Sequence, residues 1–141
     1  MGHCSSIALG IALAKPQQSV FCIDGDGSML MHMGALASIA NLKPRNFHHI
    51  LLNNGVHESV GGQETAAKNI ELVNMIEALG ISNTFKVNKE NELKKKFLDF
   101  KFCSGPSFLE IKLQPGSRED LGRPTIGPAK NKINFMKFLD K

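Results

Sequence analysis

The chain has 141 residues, 42% hydrophobic, with 13 glycines and a formal net charge of +4. That length fits one domain burying about two-thirds of its unfolded surface. The mild charge, without a basic stripe interleaved with aromatics, speaks against a nucleic-acid binder, and no apolar run nears the roughly 20 residues of a membrane span.

Residues 5–14 read as a small-residue helix with Ile7, Ala8, Ile11 and Ala12 on one side, stopped at Lys15-Pro16. Residues 1–14 lack the basic start of a signal peptide. The apolar run 19–24 predicts a strand, closed by Gly25-Asp26-Gly27-Ser28. Residues 29–40 place Leu30, Met33, Leu36, Ala37 and Ala40 at helical spacing, and 49–52 predict a second strand closed by Asn53-Asn54-Gly55. Further on, 70–79 is an amphipathic helix stopped by Gly80, and 84–87 is a short strand. Residues 91–102 form a charged helix with Leu93, Phe97, Leu98 and Phe100 inward, and Lys94, Lys95 and Lys96 on a solvated face. The alternation in 108–113 predicts a strand with one solvated face, and a glycine-, proline- and arginine-rich loop at 114–128 precedes a helix at 134–139. The βα order gives an α/β fold: a three-layer, doubly wound, mostly parallel sheet.

Cys4, Cys22 and Cys103 are scattered and lack CxxC spacing. They suggest neither a zinc site nor a disulfide framework and read as reduced thiols of a cytoplasmic protein, with Cys22 in core packing.

The segment from the glycine turn to the asparagine pair is a βαβ unit with polar residues at the carboxyl ends of parallel strands, where open α/β sheets bind ligands. Three readings compete for Asp24-Gly25-Asp26-Gly27-Ser28. A calcium loop of the EF-hand kind fails, because its glycine and glutamate positions hold Met29 and Ala35. A dinucleotide fingerprint lacks its third glycine, replaced by Leu30, and its downstream acid. The third is a magnesium–diphosphate site, with Asp26 and the asparagine pair around a cation and turn N–H groups on phosphate oxygens.

Gly25-Asp26-Gly27-Ser28 through Asn53-Asn54 resembles the cofactor motif of thiamine-diphosphate-dependent enzymes. The stretches 1–12, 53–63 and 116–125 extend the resemblance to the phosphonopyruvate decarboxylases over nearly the whole chain, with sulfopyruvate decarboxylase close in chemistry. The resemblance implies thiamine diphosphate and Mg²⁺ as cofactors, with Asp26, Asn54 and the Val56 carbonyl as metal ligands. It places Gly25, Gly27 and Ser28 at the diphosphate, fits Asp24 to the same motif, and aligns Met1 with the apolar wedge under the bent cofactor. The implied activity is decarboxylation of a small 2-oxo acid, phosphonopyruvate to phosphonoacetaldehyde on the way to 2-aminoethylphosphonate, the cofactor serving as electron sink. A sulfopyruvate decarboxylase β-type subunit is the alternative, and a non-catalytic remnant of the fold is a further one.

Arg118 and Arg123 share one loop and either fork onto the substrate anion or pair with Glu119, Asp120 or backbone carbonyls. His57 is a candidate for substrate contact or proton transfer, or only organises its loop; Glu58 either supports the site or is solvated. His48 and His49 read as structural, and His32 faces either site or core. In the family, the glutamate that activates the aminopyrimidine comes from a separate pyrimidine-binding domain, which is not visible in 1–141. The chain therefore reads as the diphosphate half of a site between two domains, completed by a partner domain or subunit in a homo- or hetero-oligomer, and inactive alone. Met29, Met31 and Val60 are candidates for an apolar rim facing that partner, or for core.

Overall fold

The computed structural model describes residues 1–140. Elements follow in the order α1 (Cys4–Ala14), β1 (Val20–Gly25), α2 (Asp26–Met31), α3 (Gly34–Leu42) and β2 (Phe47–Asn53). A small ribbon comes next, β3 (Val56–His57) and β4 (Gln63–Glu64), then α4 (Leu72–Ala78), β5 (Asn83–Val87), α5 (Glu90–Phe102), β6 (Ser107–Lys112) and α6 (Pro128–Leu139). The main sheet runs β1-β2-β6-β5 with every pair parallel.

Connection direction sets the layers. From β1 to β2 and on to β5 the chain steps one way across the sheet; from β5 to β6 it steps back. Right-handed crossovers therefore put α5 on the face opposite α2, α3 and α4, which is the doubly wound arrangement expected. Two apolar clusters follow. The larger joins Ala8 and Ala12 of α1, Met29 and Leu36 with Cys22, Phe47, Leu51, Leu72, Ile76 and Phe108; the smaller joins Ile50, Val87, Phe100 and Leu109 under α5. Among the described residues no helix is long and apolar enough to cross a membrane.

Several elements differ from the sequence reading, among them the terminal helix, which starts at Pro128 and not at 134. The helix expected over 29–40 is two, broken at His32-Met33, and the first already starts at Asp26. Gly34 inside the segment weakens helix propagation, and His32 turns back on Met29 through a 3.2 Å backbone bond. In α1 the inward face is Ser5, Ala8, Leu9 and Ala12, while Ile7 lies in solvent. On α5 only Phe100 is fully inward; Phe97 and Leu98 are exposed, because among the described residues no element covers that flank beside Phe21 and Ile23, exposed on β1. Finally, Glu110 is buried on β6, which lies between two strands with helices on both faces, so its alternation does not mark a solvated side. Lys112 at 2.9 Å and Lys86 at 3.9 Å compensate the Glu110 carboxylate.

The solvated reading of the lysine run holds for Lys94 and Lys95. Lys96 instead donates to Glu92 at 3.0 Å and to the Lys86 carbonyl at 2.6 Å. Of the three rim candidates, Met29 is core, whereas Met31 and Val60 are exposed.

Candidate functional site

Parallel pairing places the carboxyl ends of β1 and β2 side by side, with Gly25 in register with Leu52. A cavity of about 320 Å³ opens there, lined by Met1, the Gly25–Ser28 turn, Asn54, Val56, His57 and Glu58 among others. Asp26 is the first residue of α2 and almost fully buried. Its Oδ2 accepts a short hydrogen bond from the Thr65 hydroxyl. The β3–β4 ribbon delivers that threonine: the chain doubles back after His57, and the Thr65 N–H donates to the Gly55 carbonyl at 2.9 Å.

The asparagine pair divides its work. Asn53 turns inward, its Nδ2 donating to buried Glu110 Oε1 at 2.7 Å. Asn54 faces the cavity; its Nδ2 donates to Glu58 Oε2 at 2.9 Å and its Oδ1 accepts from the Val56 N–H at 3.2 Å. The amide oxygen is thus oriented away from Glu58.

Two glycines are needed for space. A Cβ on Gly27 would run into the His57 imidazole, and one on Gly2, whose φ is +83°, would meet the His32 ring. The Gly2 N–H donates to Ser28 Oγ at 3.0 Å, which pins Met1-Gly2 to the Gly25–Ser28 turn. Met1 itself is 62% exposed, over the cavity.

Glu58 links this cavity to a second. Its Oε1 accepts from the Gly116 N–H at 2.5 Å, tying down the start of the arginine loop. The second cavity, about 650 Å³, is lined by Glu58, Ser59, Ser117, Arg118, Glu119 and Arg123 among others. Arg118 is engaged already: its Nε and Nη2 donate to the two Asp120 oxygens at 2.8 and 2.6 Å. That fork pushes the guanidinium pKa up and the Asp120 carboxyl down. Arg123 lines the cavity wall.

The other histidines and Asp24 lie elsewhere. His48 is buried with Nδ1 2.8 Å from Ser107 Oγ, and burial lowers its pKa. His32 is exposed against His3, their ring centroids 4.2 Å apart. Asp24, read with the cofactor motif, points away from the cavity into the sheet–helix layer; Oδ1 accepts from the Gly25 N–H at 3.0 Å and Oδ2 lies 3.9 Å from His49 Nε2. Burial drives the His49 pKa down to about 4, only partly countered by Asp24. Burial likewise pushes the Cys22 thiol up, with Cys4 and Asp24 adding to the effect. Thr65 and Glu110 escaped sequence reasoning, because neither belongs to a spaced motif and both reach their partners across 39 and 57 residues.

Asp26 carboxylate, Asn54 amide and Val56 carbonyl are hard oxygen donors, the set that suits Mg²⁺ shared with phosphate rather than a soft metal. The start of α2 adds N–H groups without intrahelical acceptors. These residues fit a metal–diphosphate.

Comparison with known proteins gives the class. Residues 1–111 match the family described as thiamine pyrophosphate enzyme, C-terminal TPP binding domain. The chain belongs to that family, as its cofactor-binding domain. It is 34% identical over 139 residues to phosphonopyruvate decarboxylase of Streptomyces viridochromogenes, covering 99% of this chain and 35% of that protein. It is 40% identical over 141 residues to sulfopyruvate decarboxylase of Methanosarcina acetivorans, covering 99% of this chain and 36% of that one. With sulfopyruvate decarboxylase subunit beta of Methanococcus maripaludis it shares 33% identity over 141 residues, 100% of this chain and 75% of the subunit. The chain thus spans about a third of the first two relatives and most of the third. A solved structure from Mycobacterium smegmatis, assigned as a thiamin diphosphate-dependent enzyme, shares the fold with a TM-score of 0.67 at 22% identity, over 82% of this chain and 22% of that one.

Proposed function

We propose that this chain supplies the diphosphate and Mg²⁺ half of a thiamine-diphosphate-dependent 2-oxo acid decarboxylase, with phosphonopyruvate as substrate. The observation that carries the reading is the convergence of Asp26, Asn54 and Val56 on one cavity beside the start of α2. The cofactor, when bound, supplies the electron sink that lets CO₂ leave. The chain's own residues do the positioning. Asp26, held by Thr65, and Asn54, held by Glu58, offer oxygens to Mg²⁺, and the Gly27 and Ser28 backbone faces the diphosphate. Met1 supports the cofactor from the cavity wall. His57, against Gly27, is within the cavity to hold or pass a proton. Arg118 and Arg123 neutralise the substrate anion at the adjoining cavity, Arg118 exchanging Asp120 for it.

The aminopyrimidine-activating glutamate belongs to a pyrimidine-binding domain or subunit, so the chain alone is expected to bind Mg²⁺ and diphosphate weakly and not to turn over. A sulfopyruvate decarboxylase β-type role is the second reading, favoured by the 75% of the Methanococcus maripaludis beta subunit that the chain covers. Phosphonate biosynthesis, or its sulfonate counterpart, follows from whichever substrate is used, and we place the enzyme in the cytoplasm as a separate reading resting on its scattered, unpaired cysteines.

The test is turnover of phosphonopyruvate and of sulfopyruvate, with thiamine diphosphate and Mg²⁺, by the chain alone and with a pyrimidine-binding partner. Partner-dependent CO₂ release that Asp26→Ala removes supports the reading, and the better substrate decides between phosphonate and sulfonate. Robust turnover by the chain alone would refute the half-site. An Asp26→Ala variant as active as the unaltered chain would leave only the remnant.

A further inference from the structure

Outside the cavity, one buried cluster is unused by the chemistry above. Strand alternation sends Cys22 and Asp24 to the same face of β1, and register sets His49 of β2 directly beside Cys22. Cys22 Sγ, Asp24 Oδ2 and a His49 ring nitrogen all lie within 4.8 Å of one another, and all three residues are buried. Cys4, the first residue of α1, brings a second sulfur to 3.5 Å from Cys22 Sγ. Cys22 Sγ donates to Cys4 Sγ and Cys4 Sγ to the Ile23 carbonyl, whereas two of these residues carry unemployed donors: Asp24 Oδ2 and both His49 nitrogens are buried without a hydrogen-bond partner. Buried polar atoms left in that state cost free energy and call for an occupant.

We propose that Cys4, Cys22, Asp24 and His49 form a tetrahedral Zn²⁺ site, separate from the hard-oxygen site at Asp26. Two thiolates, an imidazole and a carboxylate match zinc in softness and in number. Ligand radii of about 2.0–2.3 Å put neighbouring donors roughly 3.3–3.8 Å apart in a tetrahedron. The Cys4–Cys22 separation of 3.5 Å and the Asp24–His49 separation of 3.9 Å lie near that spacing. Cys4 stands outside the 4.8 Å cluster of the other three, its Sγ 3.6 Å from the Ile23 carbonyl, and closes the site by turning from that carbonyl. Binding releases the two thiol protons to solvent and involves no redox change. The ion would join α1, β1 and β2 just before the Gly25–Ser28 turn, a structural role with no open position for substrate.

The proposal is tested on the full chain, purified under reducing conditions, with Zn²⁺ content measured and Co²⁺ used as the spectroscopic probe. The expected result is one equivalent of tightly held metal and, with Co²⁺, sulfur-to-metal charge-transfer absorption plus the visible bands of tetrahedral cobalt. Cys22→Ser and His49→Ala should weaken binding at least about 100-fold, more than the loss of an outer-shell partner costs. Cys4→Ser, at an exposed position that does not threaten the fold, should also weaken it and halve the charge-transfer intensity. Cys103→Ser and Asp26→Ala should leave both unchanged, which separates this site from the Mg²⁺–diphosphate reading. Absence of the thiolate band in the folded reduced chain, or a band that survives Cys4→Ser at full strength, would overturn the site. So would recovery of Cys4 and Cys22 as a disulfide in protein kept reduced.

Discussion

The two halves of the candidate site are held in opposite ways. Asp26, the first residue of α2 just past β1, and Asn53, the last residue of central strand β2, are almost fully buried, with Thr65 and Glu110 fixing them from inside. Arg118 and Arg123 sit on a wholly exposed loop whose tie to the rest is the Glu58–Gly116 bond. The strand-borne half is preorganised by the core, whereas the loop-borne half must be ordered when an anion arrives. Such a division suits a cofactor that stays and a substrate that comes and goes.

That contrast can be broken at its strong end first. Asp26→Asn, near-isosteric, should abolish metal-dependent cofactor binding, read by calorimetry with thiamine diphosphate and Mg²⁺, while leaving the fold intact by circular dichroism. Next comes a pH effect on stability centred on the buried half. His49 titrates near 4 in the folded chain against 6.5 when unperturbed, so between those values the unfolded chain binds more protons. Stability of the metal-free chain should therefore fall as pH drops from 6.5 to 4, by about 3 kcal/mol. Denaturant unfolding at pH 7 and pH 4.5 should show it, and His49→Gln should flatten it.

Smaller effects probe the supports. Thr65→Val keeps shape but removes the hydroxyl on Asp26, and Mg²⁺ affinity should drop about 10-fold or more, with Thr65→Ser restoring it. Glu58→Gln loosens the loop and should raise KM for the 2-oxo acid in the reconstituted enzyme about 10-fold, the scale of one charge-assisted hydrogen bond. Asp120→Asn releases Arg118 from an exposed pair of little intrinsic worth. It should change KM only a few-fold, downward; a rise would mean that Asp120 positions the arginine instead of competing for it.

The same contrast explains what could be read in advance. The βαβ frame and the Asp26–Asn54 pairing were legible because glycine turns and apolar runs are local signals. Thr65 on Asp26, Glu110 behind Asn53, and His49 beside Cys22 depend on register between strands or on a ribbon of two-residue strands, which no local pattern encodes. The outward turn of Phe97 and Leu98 was hidden for another reason: spacing names a helix's apolar face but not whether anything lies against it. Arg118 allowed two readings, because nothing in the local sequence decides whether its guanidinium forks onto Asp120 or stays free for an anion.

Glu58 carries one more consequence. A single carboxylate holds Asn54 with one oxygen and the Gly116 backbone with the other, so whatever stiffens one side stiffens the other. Occupancy at Asn54 should then raise the affinity of the loop for its anion, and thermodynamic reciprocity requires that the anion tighten binding at Asn54 by the same factor. Cofactor and substrate would thus be cooperative ligands, joined through one side chain that lines both cavities.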